Sequence, residues 1–146
     1  MRLAQRLPRR HLARDRNGDR GGGEVLQTGK RAFKWLDAPH VPHAWENGFM
    51  MELETRTLLC GDLFTQGGAG AVPVTERDIL GPSEEFRRPM DYYAHAPQTA
   101  ATLEKLAREN PTTLAVMHGS AWRGDGAALL RALARSLAGT AYAKAA

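Results

Sequence analysis

The chain carries one cysteine, Cys60, in 146 residues, so no disulfide can form within it and a reducing cytoplasm is the expected compartment. No apolar run approaches the ~20 residues that a membrane-crossing helix requires. The first twenty residues lack the apolar stretch of a secretory signal and contain no serine, which argues against a transit peptide. Acidic residues are scarce there too. Seven arginines (Arg2, Arg6, Arg9, Arg10, Arg14, Arg16, Arg20) face only Asp15 and Asp19, a net of +5; taken from the formal +4 of the whole chain, this leaves −1 for residues 21–146. A basic leader on a nearly neutral body gives little support to a nucleic-acid partner, which the leader alone would have to hold. Residues 1–22 are expected to be a disordered leader closed by Gly21-Gly22-Gly23, and residues 23–146 a single domain. Histidine is also sparse. His11, His40, His43, His95 and His118 are all there are; no two stand two apart, and no His-x-Glu occurs.

From Glu24 onward the pattern is regular. Glu24–Thr28 and Arg31–Leu36 flank a Gly29-Lys30 turn and predict a hairpin, with Ala32 and Leu36 on one face and Phe33 and Trp35 on the other. Pro39 and Pro42 forbid regular pairing over Asp37–Asn47, so His40 and His43 fall on an irregular loop. Gly48–Glu54 and Thr57–Gly61 predict a second hairpin around Thr55-Arg56. Its second strand is continuously apolar, as expected of a strand covered on both faces. Ser83 is a candidate N-cap for a helix that Pro89 should interrupt, and a clearer helix spans Gln98 to Asn110. A short strand over Leu114–Met117 and a last helix from Asp125, with Leu129, Leu130, Leu133 and Leu137 as its stripe, complete the pattern. Hairpins followed by helix, strand and helix predict an α/β fold: a layered sheet with helices on one face.

His43, Asp62 and His118 each stand beside a predicted strand end, where neighbouring strands would bring them together. Imidazole nitrogen and carboxylate oxygen are donors that zinc, iron and manganese accept alike. Cys60 has no base beside it and is expected to be a packed thiol. Gly67, Gly68 and Gly70 lack the lysine and hydroxyl of a phosphate loop and predict a flexible loop next to the site. His95, in Tyr92-Tyr93-Ala94-His95, is expected to be structural and His11 solvated.

Three segments in this order resemble the metallo-β-lactamase superfamily, and within it the oxygen-binding diiron domain of flavodiiron proteins. They are His43-Ala44-Trp45-Glu46 followed by Phe49, then Gly61-Asp62-Leu63-Phe64-Thr65-Gln66, then His118-Gly119-Ser120-Ala121-Trp122-Arg123. Eighteen residues separate His43 from Asp62, the spacing of that family, and the likeness covers residues 24–139. The resemblance implies the C-terminal part of an αββα sandwich and two divalent metal ions, iron or zinc. His43 would bind the first metal, Asp62 would bridge both, and His118 would bind the second. It also implies supporting places around the metals for His40, Glu46, Trp122 and Arg123.

One departure is large: the family's upstream His-x-[His/Glu]-x-Asp-His cluster has no counterpart in this chain. The expectation is therefore an N-terminally truncated metalloprotein, a hydrolase or a diiron oxidoreductase. Its partners would be a small-molecule substrate, or oxygen or nitric oxide. The alternative is a non-catalytic remnant or a half-fold, completed by a homo-oligomer or by a missing N-terminal half.

Overall fold

The structure, a computed structural model, describes residues 23–68 and 72–144. The leader expected over residues 1–22, with His11, and Gly70 of the expected flexible loop lie outside the described residues. Strands β1 (Val25–Thr28), β2 (Arg31–Asp37), β3 (Gly48–Glu52) and β4 (Thr57–Leu59) form an antiparallel meander. The chain then runs through β5 (Val74–Thr75), α1 (Leu80–Met90) and α2 (Thr99–Arg108) before returning as β6 (Thr113–Ala115), parallel to β4. A parallel partner needs a long crossover, and the two helices supply it. Strand β7 (Ala121–Arg123) pairs antiparallel with β6 and parallel with β5, and α3 (Gly126–Lys144) ends the fold. The sheet has seven strands in the order β1-β2-β3-β4-β6-β7-β5, which places β4 at its centre.

Alternation along the strands decides which face is covered. Leu36, Phe49, Met51, Leu58 and Leu114 point to one side and share a core with Leu103 and Leu106 of α2 and Leu130 and Leu133 of α3. Burying each such leucine stabilises the fold by about 2 kcal/mol. The helices therefore lie on one face, as the pattern of the sequence predicts. The opposite face behaves otherwise. Trp35, Leu59 and Val74, which project there, are 40%, 41% and 44% exposed. The expectation that Thr57–Gly61 is covered on both faces is thus corrected: Leu58 and Cys60 are buried, but Leu59 between them is open. An apolar run reports what a strand can bury, not what lies over it.

Local caps explain the helix boundaries. Helix α1 begins three residues before Ser83, because Asp78 Oδ1 accepts the backbone N–H of Leu80 at 2.8 Å and so caps it. Ser83 lies inside the helix and donates to Leu80 O at 3.0 Å. Pro89 falls in the last turn, where the lost N–H costs one bond at a helix already ending at Asp91 (φ 46°). Helix α3 starts where the sequence predicts, with Asp125 Oδ1 accepting Ala128 N–H at 2.9 Å. Strands β5 and β7 are too short for their pattern to stand out in the sequence.

Candidate functional site

The parallel β4–β6 pair continues past the strands themselves. Cys60 N–H donates to Ala115 O at 3.0 Å and Met117 N–H to Gly61 O at 2.8 Å. Asp62 and His118 therefore leave neighbouring strand ends side by side. Gly61, at φ +49°, supplies the left-handed turn that releases Asp62 from β4. His43 arrives from the β2–β3 loop. That loop is fixed by Ala38 N–H to Asn47 O at 2.8 Å, by a hydrogen bond from the Asn47 side chain to Val41 O, and by Ala94 N–H to Pro42 O at 2.7 Å.

The three side chains meet. His43 Nε2 lies 2.6 Å from Asp62 Oδ2, and His118 Nε2 lies 3.4 Å from Asp62 Oδ1. The imidazoles are half or more exposed, the carboxylate about a quarter. Asp62 Oδ1 is buried and has no hydrogen-bond partner. The Asp62 backbone carbonyl is held by Tyr92 Oη at 3.1 Å and Thr65 Oγ1 at 3.0 Å. The Tyr92 ring also packs on His43, with centroids 5.7 Å apart. Burial raises the Tyr92 phenol pKa, so it stays a hydrogen-bond donor at neutral pH.

Gln66 clamps the two halves of the site together. Its Nε2 donates to Ser120 O and its Oε1 accepts Ser120 N–H, both at 3.2 Å, while its backbone N–H donates to His118 O at 3.0 Å. Gly119 between them has φ +104°, and a Cβ there would stand 2.8 Å from Gln66 Cβ. The close approach that sets His118 against Asp62 requires glycine. An open cleft of about 610 Å³, lined on its far side by Phe86 and Met90, exposes the three groups. A second hollow of about 290 Å³ reaches His43 and Asp62 from the uncovered sheet face, past Met50 and Leu59.

The other sequence candidates stand apart from the cleft. His40 Nδ1 accepts the Trp45 backbone N–H at 2.9 Å within its own loop. Glu46 is exposed on that loop, and neither residue lines the cleft. Trp122 packs against the core from β7, and Arg123 is exposed on the same strand. His95 pairs with Asp91 at 2.7 Å, a structural contact as expected. Cys60 is buried, with its thiol pushed up to about 12 by loss of solvation. Tyr92 and Gln66 escaped the sequence reading. Their only sequence signal was proximity to His95 and Asp62, and each acts through contacts that only the fold creates.

The metal pair implied by the resemblance can be tested on this donor set. The orphaned Oδ1 is what a cation would satisfy, and the donor types are right. The number is not. The two imidazoles engage different oxygens of one carboxylate, so they flank it instead of closing around a single point. Among the described residues no group of three or more His, Cys, Asp or Glu side chains is arranged to hold a metal ion. A catalytic metal typically takes three protein donors, so three side chains do not furnish a two-metal centre.

No protein-family model matches the chain, and no curated protein sequence does. Solved structures do. The rubredoxin oxygen:oxidoreductase of Desulfovibrio gigas is similar at TM-score 0.64 and 21% identity, over 79% of this chain and 30% of that one. A fragment of a putative diflavin flavoprotein from Nostoc is similar at TM-score 0.64 and 20% identity, over 86% of this chain and 49% of that one. The chemotaxis sensor ODP of T. denticola follows at TM-score 0.59 and 15% identity, over 75% and 46%. Over the matched residues the fold is therefore the one these three structures share. The chain spans less than half the length of each.

Proposed function

We propose that this chain is a metallo-β-lactamase-fold metalloprotein of the diiron type, contributing His43, Asp62 and His118 to a metal centre whose remaining donors lie outside the described residues. The observation that carries this reading is the Asp62 carboxylate, bracketed by two imidazoles, with Oδ1 buried and accepting no hydrogen bond. With the remaining donors supplied, His43, Asp62 and His118 would hold divalent metal, and the Asp62 carboxylate would offset part of its charge. His40 and Glu46 on the β2–β3 loop and Trp122 and Arg123 on β7 would in this reading support the site from outside the cleft. The chemistry would be that of a metallo-hydrolase or of an oxidoreductase acting on oxygen or nitric oxide. The likeness to an oxygen:oxidoreductase favours the second.

Anaerobic equilibrium dialysis against Fe(II) and Zn(II), followed by metal analysis, tests the assignment. Wild-type protein should retain metal that Asp62→Ala loses by tenfold or more in affinity. Equal retention by Asp62→Ala would refute it. A second reading, a non-catalytic remnant, is favoured by the 2.6 Å contact in which His43 Nε2 and Asp62 Oδ2 engage each other without a metal. In that case His43→Ala would leave metal retention at the wild-type background.

A further inference from the structure

A separate cavity of about 280 Å³ lies on the helix layer. It opens between the end of α1, the loop that follows, the start of α2 and the middle of α3, and it shares no lining residue with the cleft at Asp62. Ala96, Pro97, Ala134 and Leu137 give it an apolar wall, and only the small side chains of Ala100 and Ala138 stand at its exposed mouth from α2 and α3.

Two buried polar side chains interrupt that wall. Tyr93 is 6% exposed and Arg87 2%. The guanidinium lies over the Tyr93 ring, 5.6 Å from its centroid. Glu84 takes Arg87 Nε and Nη2 at 2.7 Å each, which leaves Nη1 without a hydrogen bond among the described residues. The Tyr93 hydroxyl makes none there either. Yet neither atom is sealed in, because among the described residues only Asp62 Oδ1 is a fully buried side-chain oxygen or nitrogen without a partner. Both atoms therefore meet open space, and the cavity is the space that both residues line. Burial keeps the Tyr93 phenol protonated at neutral pH, so both free groups are donors. The other polar side chains of the wall are already engaged: His95 Nε2 pairs with Asp91 and Thr99 Oγ1 donates to Ala96 O, both at 2.7 Å.

We propose that this cavity binds a small molecule with an oxygen-acceptor head, a carboxylate or a carbonyl, on an apolar tail. The site is independent of the metal centre proposed above. An apolar hollow with a few convergent polar groups is the usual form of a small-molecule site. Here the polar groups are two donors on stacked side chains, and an oxygen with two lone pairs can serve both. Glu84 already balances the Arg87 charge, so hydrogen bonding and not net charge selects the head. A protonated amine would bring only donors to a wall of donors. Size follows from volume: at about 30 Å³ for each water-sized group, roughly nine non-hydrogen atoms fill the cavity. A six-carbon acid or amide fits that count.

Amide NMR titration of the full-length protein tests this with three probes of equal chain length: hexanoate, hexanamide and protonated hexylamine. Hexanoate or hexanamide should saturably shift amides within residues 87–100 and 134–138, with a Kd on the order of 1 mM or tighter, and hexylamine should not. Hexanoate alone marks a carboxylate as the head; hexanamide, with or without it, marks a carbonyl. Tyr93→Phe should weaken binding about tenfold and leave the urea midpoint in place, because that hydroxyl holds nothing within the protein. Ala134→Leu fills the cavity from a helix that tolerates leucine, and should abolish the shifts with unchanged circular dichroism. Asp62→Ala should titrate like wild type, whatever becomes of the metal assignment. The proposal is overturned if no probe gives a saturable shift, if hexylamine binds as tightly as hexanoate, or if binding survives Ala134→Leu or is unmoved by Tyr93→Phe.

Discussion

Gly119→Ala separates backbone strain from the Gln66 clamp. At φ +104° an alanine sits in a region that costs on the order of 1–3 kcal/mol for any residue with a Cβ. In addition the new methyl would stand 2.8 Å from both Cβ and Cδ of Gln66. Gln66 Cβ cannot swing away like the end of a flexible chain, because its own backbone N–H is bonded to His118 O. Relief requires the His118 loop to lift, which breaks the paired Gln66–Ser120 bonds at about 1 kcal/mol each. The total is about 3–5 kcal/mol, a large share of the roughly 5–15 kcal/mol that holds a domain folded.

Gly68→Ala is the control. Its φ is +90°, but a Cβ there meets nothing within 4 Å, so only the backbone strain applies. Urea unfolding of both variants should show Gly119→Ala less stable than Gly68→Ala by about 2 kcal/mol, a gap built from the contact and the clamp. Metal retention should fall in Gly119→Ala alone. Equal stability and equal metal retention in the two variants would refute the clamp as the device that seats His118.

Three further outcomes follow from other parts of the molecule. Arg87 is buried and bidentate to Glu84, with both contacts at 2.7 Å, and Ser136 adds a third hydrogen bond. Burial alone would raise the Glu84 pKa, yet the Arg87 and Ser136 bonds outweigh it and hold the carboxyl below its ordinary value. Arg87→Met should therefore cost about 3–5 kcal/mol by stranding that charge, measured by denaturant midpoint, and Arg87→Met with Glu84→Leu should recover most of it. The Glu52 carboxyl is lowered from its ordinary 4.5 to about 2, first by the Thr55 hydroxyl, then by the Thr55 backbone N–H. A depressed acid stabilises the fold above its unfolded pKa and loses that contribution as pH falls from 4.5 toward about 2. Thr55→Ala should move the NMR titration midpoint of Glu52 upward and shift acid unfolding to higher pH; an unmoved midpoint would contradict the assignment. Cys60, protonated far above neutral pH, should resist iodoacetamide at pH 8 in the folded protein and label fully in urea.

The elements legible in the sequence were those with local causes. Gly29 at φ +59° turns the first hairpin, and Asp125 caps the last helix, each by chemistry confined to a few residues. The strand ends beyond which Asp62 and His118 stand were also legible, whereas His43 lies mid-loop between Asp37 and Gly48, where periodicity locates nothing. What stayed hidden depends on partners distant in sequence. Tyr92 reaches Asp62 across 30 residues and Gln66 reaches Ser120 across 54, and neither pairing leaves a trace in spacing. Asp78 displaced Ser83 as the cap of α1 because its carboxylate accepts the N–H groups of both Leu80 and Gly81.

The misjudged strand teaches most. Thr57–Gly61 is apolar at every position from Leu58 to Cys60, which is the composition of a strand with two covered faces, yet Leu59 is 41% exposed. Composition is selected by every state in which a side chain is buried, including assemblies. Leu59 still buries more than half its surface, aligned with Met50 and Ala115, so a leucine there contributes to the sheet without a second cover. Three residues past Leu59, beyond the end of β4, stands Asp62, whose buried Oδ1 accepts no hydrogen bond, so one short segment turns an apolar side chain to water and carries the carboxylate of the candidate site.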